Sequence, residues 1–294
     1  MKRLKQLKII LILCAIAMFS NAAAANWLKS EKIKNIKGYV ITASELDKVL
    51  VLNDKNEIVR KIEANNTYDA WKLKNGNILY ACHRGVRLIT PADEIIWNYK
   101  SKSEIFACQP LGKNKMLVGE CSKGRLIEIS STGEILKEIP LTYKKGGHGC
   151  FRGARKIKNG HYLVSHHADK TVREYNKNGD VVKEIVRPFN VYAAQRLSNG
   201  STMISDVYCL SIYDKKGKMV WEFDAREYPE LGVNHLTGFQ VLPNDEIIIC
   251  NWLGHSPYKK GIPVFKINMN KEILWKYTNA QQTYSCTNIQ VLYE

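Results

Sequence analysis

The sequence predicts an all-β, six-bladed β-propeller built from four-stranded blades. Two observations predict the blades. A strand-opening tetrapeptide occurs six times, and a strand–turn–strand unit precedes five of the copies. A third observation closes the ring: the first-strand pattern that the N-terminal repeat lacks stands at the C-terminus.

The tetrapeptide is an acidic or polar residue, two apolar residues, then Trp, Lys or Arg. It reads Glu57-Ile58-Val59-Arg60, Glu94-Ile95-Ile96-Trp97, Glu134-Ile135-Leu136-Lys137, Asp180-Val181-Val182-Lys183, Lys218-Met219-Val220-Trp221 and Glu272-Ile273-Leu274-Trp275. Starts lie 37 to 46 residues apart, with a last step of 54. Turn signals such as Thr132-Gly133 and Asn178-Gly179 precede the copies, so each begins a strand after a hairpin. The upstream unit has the form Leu73-Lys74-Asn75-Gly76-Asn77-Ile78-Leu79. Asn-Gly favours the positive φ angles of tight hairpins. Four strands per repeat of about 40 residues mark a propeller. The absence of a 3.6-residue apolar period excludes a helical solenoid.

Along the chain, residues 1–25 read as an export signal. Lys2, Arg3, Lys5 and Lys8 form a basic start, residues 9–19 are apolar, and Ala22 to Ala25 offer cleavage before Asn26. Eleven apolar residues are too few for a comfortable membrane span. Leu13 before Cys14 does not suit a lipid-anchor site. The expected location is periplasmic or secreted, with no transmembrane anchor. Residues 26–294 then form one domain with blades at 37–66 plus 283–293, 67–103, 104–146, 147–189, 190–232 and 233–282. In blade 2 the strands fall near 70–73, 78–81, 87–90 and 95–99.

Closure follows from one alignment. Cys286-Thr287-Asn288-Ile289-Gln290-Val291-Leu292 matches Leu236-Thr237-Gly238-Phe239-Gln240-Val241-Leu242 column by column. The last strand is therefore expected to complete the first blade and remove an exposed sheet edge.

The L-x-N-G-N-x-L strand pair followed by a turn and Glu-Ile-Ile-Trp resembles bacterial PQQ-like propeller repeats. It also resembles the propeller of bacterial arylsulfotransferases. The resemblance spans nearly all of residues 26–294 and implies the fold. The arylsulfotransferase likeness further implies a histidine as nucleophile or acid/base and an arginine that holds sulfate, for which His148, His235 and Arg152 are the matching types.

Composition narrows the partners. The net charge is +16, four cations of it in the signal. Such a balance suits anionic glycans or sulfated and phosphorylated ligands. The plainer reading is lysine scattered over solvent-facing strands. No basic helix or aromatic-interleaved basic run points to nucleic acid. A small-molecule or glycan ligand is expected of a monomer, and a protein partner is left open. Seven cysteines follow the signal without a CxxC, so zinc-ribbon and thioredoxin patterns are absent, and the odd count leaves at least one free thiol. No cofactor is named by the sequence, and metal ligation is left open.

Propeller topology assigns loops to faces. Loops entering each innermost strand, and loops between second and third strands, share the top face. They carry Tyr68, His83, Arg84, Glu120, His148, Arg152, His167, Asp206, Tyr192, His235, Trp252 and Tyr284, and six of the seven histidines. Of these, His148, His167 and His235 are candidate catalytic residues and the others candidate ligand contacts. A lone His or Arg at a loop end more often bonds backbone; the convergence of the set favours a pocket. Adjacent His166 and His167 should point to opposite sides of a strand. The innermost-strand column Trp71, Gln109, Arg155, Gln195, Gln240 and Gln290 is expected to satisfy backbone amides between blades. The reading is an exported propeller that binds a small or glycan-like ligand, anionic ones included, in a top-face pocket. The alternative is a periplasmic hydrolase, lyase or sulfotransferase using top-face His and Arg.

Overall fold

The computed structural model describes residues 35–112, 114–255 and 260–294. The export signal lies outside the described residues. Six antiparallel sheets of four strands surround one axis. Blade 1 holds β1 (Ile36–Ala43), β2 (Lys48–Asn53) and β3 (Ile58–Glu63), and blade 2 holds β4 (Ala70–Lys72), β5 (Ile78–Cys82), β6 (Gly85–Ile89) and β7 (Ile95–Lys100). Blade 3 holds β8 (Ile105–Gly112), β9 (Lys115–Glu120), β10 (Arg125–Ser130) and β11 (Ile135–Pro140). Blade 4 holds β12 (Gly153–Lys156), β13 (Tyr162–His166), β14 (Thr171–Tyr175) and β15 (Val181–Val186). Blade 5 holds β16 (Val191–Arg196), β17 (Thr202–Asp206), β18 (Cys209–Tyr213) and β19 (Met219–Asp224). Blade 6 holds β20 (His235–Val241), β21 (Ile247–Trp252), β22 (Val264–Ile267) and β23 (Ile273–Tyr277).

The ring closes as the alignment predicts. β24 (Asn288–Tyr293) is the innermost strand of blade 1 and pairs antiparallel with β1, Ile41 facing Ile289 and Tyr39 facing Val291.

Burial explains the strand composition. Middle strands are covered on both faces by neighbouring blades, and β13, β17 and β18 are buried at every residue. Outer strands have one free edge and show exposed positions throughout, as in β7 and β15. The repeated tetrapeptide opens each outer strand and carries a bulge. Leu52 pairs with Ile58 but Val51 with Arg60, which leaves Val59 as the extra residue. The same shift leaves out Ile96, Leu136, Val182, Val220 and Leu274. These six bulged residues are all among the exposed apolar side chains of the rim. A bulge on each edge strand twists it away from pairing with another chain.

In four of the six tetrapeptides the fourth residue staples one blade to the next. Arg60 donates to Thr90 O and reaches Asp93 in blade 2. Lys183 Nζ donates to Lys215 O in blade 5, and Trp221 Nε1 to Met269 O in blade 6, both at 2.9 Å. Trp275 stacks on Tyr39 of blade 1 with centroids 6.0 Å apart. A long side chain with a donor at its tip meets this need, which is why Trp, Lys and Arg alternate there.

The innermost column does what its amides suggest. Gln109 accepts from Lys156 N at 2.8 Å and donates to Lys156 O at 3.3 Å. Gln290 does the same with Lys72 at 2.7 and 3.3 Å, and Gln240 accepts from Val291 N at 2.8 Å. Trp71 Nε1 donates to Cys108 O at 2.6 Å. Each bond joins adjacent blades. Arg155 departs from the column and skips a blade, forking onto Asp69 of blade 2 at 2.6 and 3.0 Å. Asp69 also accepts from Cys108 N and Asn288 Nδ2, so one buried carboxylate ties blades 1 to 4.

All seven described cysteines are free thiols. No helix among the described residues is long and apolar enough to cross a membrane.

Candidate functional site

The axis encloses a cavity of about 1160 Å³ lined from the top-face loops, with His148 and Trp252, down to the turns at Asn159 and Gly200. Its upper wall is a collar of rings delivered by blades 2 to 6. On one side Tyr68 packs on Phe106 with centroids 4.4 Å apart, and Phe106 meets His148 edge-on at 5.4 Å. On the other side four contacts run in series. His167 to Tyr192 is 4.8 Å, Tyr192 to His235 is 5.5 Å, His235 to Trp252 is 5.1 Å, and Trp252 to His255 is 4.8 Å.

Local structure fixes these side chains. A short 3-10 turn, Gly147–Gly149, presents His148 before blade 4 begins. Glu104 holds its Nδ1 at 2.9 and 3.0 Å. Arg152 Nη1 donates to the carbonyls of His148 and Phe151, and the guanidinium lies 4.4 Å over the Phe106 ring. Glu45 of blade 1 accepts from Trp252 Nε1 at 2.9 Å and from His255 Nδ1 at 3.0 Å. That clamp locks the indole plane.

His166 and His167 diverge as strand alternation predicts. His166 turns into the blade core, between Cys150 O and the Tyr175 hydroxyl. Burial pushes its pKa down to about 4. His167 lines the cavity, with Nδ1 3.2 Å from Val191 O. A carbonyl can only accept, so Nδ1 carries the proton and Nε2 is left as an acceptor. Burial, helped by the Arg152 charge, pushes its pKa down to about 3, so the ring is neutral at pH 7. Burial also raises the Tyr192 hydroxyl to about 12, which keeps it a neutral donor.

The cavity thus brings together Tyr68, His148, Arg152, His167, Tyr192, His235 and Trp252. His83, Arg84, Glu120, Asp206 and Tyr284 stand outside its lining. The physical reason is clearest for the two acids, which neutralise half-buried Arg125 and buried Arg187. Glu120 binds Arg125 at 2.5 Å and Lys123 at 3.0 Å, and Asp206 binds Arg187 at 2.7 Å. Burial would raise the Glu120 carboxyl, but bonds from Ser101, Lys123, Arg125 and Tyr99 outweigh it and hold the pKa low. His83 serves blade-to-blade pairing through its backbone, donating to Asn65 O and accepting from Ile105 N.

Three contributors escaped sequence reasoning: Glu45, Glu104 and Phe106. The face rule contained the signal for both acids. Once β24 is counted as the first strand of blade 1, Glu45 lies in its second-to-third strand loop. Glu104 immediately precedes β8, in the loop entering blade 3. No group of three or more His, Cys, Asp or Glu among the described residues is arranged to hold a metal ion.

No family model matches the chain, and no curated protein does. Solved structures do. A Bacteroides caccae protein of unknown function superposes with a TM-score of 0.80 at 22% identity, over 88% of this chain and 100% of that one. Streptogramin B lyase superposes with a TM-score of 0.59 at 13% identity, over 88% of each chain. A catalytically inactive histidine-to-alanine variant of virginiamycin B lyase from Staphylococcus aureus, with quinupristin, gives 0.61 at 12%, over 90% of this chain and 94% of that one. At such identities the likeness is one of fold: a six-bladed β-propeller.

Proposed function

We propose that the chain is an exported propeller that binds a small or glycan-like ligand, anionic ones included, in the top-face cavity. The ring collar carries this reading. Tyr192, His235 and Trp252 stand in contact along the cavity wall, tilted 58° and 49° to one another, and Glu45 holds the Trp252 indole in place. Pre-set aromatic faces take sugars or aryl groups at little entropic cost. Thermal melting against neutral oligosaccharides and aryl glycosides tests it. A binder should raise the melting temperature, and Trp252→Ala should abolish the rise. A panel that shifts nothing, or shifts that survive both Trp252→Ala and Tyr192→Ala, would refute the assignment.

A second reading, an acid–base enzyme, is favoured by His167. A neutral imidazole with Nε2 free to accept is a general base, and the Glu104-bound His148 is an acid of suitable type. Two of the fold neighbours are lyases; hydrolase and sulfotransferase chemistry use the same groups. Turnover of a glycan or aryl sulfate that disappears in His167→Gln and His148→Ala, with ligand binding kept, would establish it. Binding without turnover leaves the first reading.

A further inference from the structure

Arg152, at the top of the cavity, has no carboxylate partner among the described residues, unlike the arginines of the blades around it. Arg155 pairs with Asp69, Arg173 with Asp169 and Glu184, and Arg187 with Asp206 and Glu222. Half-buried Arg152 has only the carbonyls of His148 and Phe151, both reached through Nη1. Its Nε and Nη2 have no partner among the described residues. The charge acts on Tyr68, His167 and Tyr192, all of which line the same cavity. A guanidinium with open donors facing a cavity favours an anion. Nε–H and Nη2–H lie in one plane along one edge, a fork that matches the two oxygens of a carboxylate.

Two further demands stand beside it. His167 Nε2 accepts only, so it asks for a hydroxyl or amide donor. The faces of Tyr192 and Trp252 ask for a flat, C–H-rich surface. An anion, a hydroxyl and an apolar ring face coincide in a carboxylated sugar.

We infer that the cavity selects an acidic sugar, a uronate residue standing free or ending an oligosaccharide, with Arg152 as the residue that reads its charge. This rests on the binding reading above. Arg152 stacks on Phe106 and makes one edge of the collar, so the carboxylate and the sugar face are read from opposite walls.

Calorimetric titration of the purified protein decides it, with trigalacturonate, galactotriose and a sulfated galactose oligosaccharide as probes. Trigalacturonate should bind at least tenfold more tightly than galactotriose. Arg152→Gln should collapse that ratio, so that the variant binds trigalacturonate and galactotriose alike. Arg152→Lys, which keeps the charge but loses the fork, should fall between the two and serves if Arg152→Gln melts far below the parent. Equal affinity for the acidic and neutral sugars, tighter binding of the sulfated one, or indifference to Arg152 overturns the inference. In those cases, continued dependence of galactotriose binding on Trp252 would preserve the cavity reading. No binding by any of the three probes overturns the uronate assignment, and the aryl glycosides then test the cavity alone.

Discussion

Histidine is the residue whose environment varies most in this molecule. His166 ends β13 and His167 is the first residue of the turn after it, yet one is packed in a blade and the other lines the axis. Both are held neutral by burial, near pKa 4 and 3. Linkage then has a fixed sign. An unfolded chain takes up protons on these rings near pH 6.5, whereas the folded chain does so only near 4 and 3. Their contribution is present in full above pH 6.5 and is lost progressively as pH falls toward 3. Glu120, Glu128 and Asp169 have lowered pKa values and withdraw their share at still lower pH. Urea midpoints should therefore decline from pH 7 to pH 5, before the carboxylates titrate. His167→Gln should flatten that limb; an unchanged slope would show that this ring is not buried neutral. The strand alternation that separates the two histidines was legible in the sequence. The arginine partners that remove Glu120 and Asp206 from the cavity were not, because pairing depends on side-chain reach across turns.

Elements carry information that a residue-by-residue reading does not. The Asn-Gly turns were read as hairpins, and hairpins they are, but the two residues divide the work. At the turn after β4, Gly76 takes φ +86° while Asn75 stays out of the positive region and accepts from Asn77 N at 3.2 Å. This is a type I turn ending in a left-handed glycine rather than a pair of positive φ angles. The tetrapeptide located every outer strand. Its internal logic came only with the fold: a bulge at the third position and a staple at the fourth. That logic makes a prediction. Trp221→Ala removes the packing of the indole on blade 6 and its bond to Met269 O. The indole is partly exposed, so the loss should be about 2–3 kcal/mol, at the low end for a large-to-alanine change. Trp221→Arg should recover part of it, since Arg60 spans the same joint elsewhere in the ring. If arginine is no better than alanine by chemical denaturation, the staple is not the reason for the residue pattern.

A closed ring has no weakest blade except where its ends meet. β24 holds blade 1 through its pairing with β1 and reaches both neighbours. Val291 N donates to Gln240 of blade 6, Gln290 exchanges bonds with Lys72 of blade 2, and Asn288 reaches Asp69. Ile289 and Val291 lie in the core shared by blades 1 and 6. At roughly 1.5–3 kcal/mol for each buried side chain, these two alone approach the about 5–15 kcal/mol that holds a whole domain together. Their removal would also uncover the inner edge of β1 and leave Gln240 and the Asp69 node short of partners. Removing residues 287–294 should therefore abolish a single cooperative transition in calorimetry, with unfolding spreading from blade 1 in both directions. The contacts are long-range in sequence, so a free peptide of residues 285–294 added in excess should rebind the open blade and restore part of the melting temperature. A truncated protein that melts like the intact chain would mean that the six blades are held by their lateral joints alone, and that the terminal strand only covers an edge.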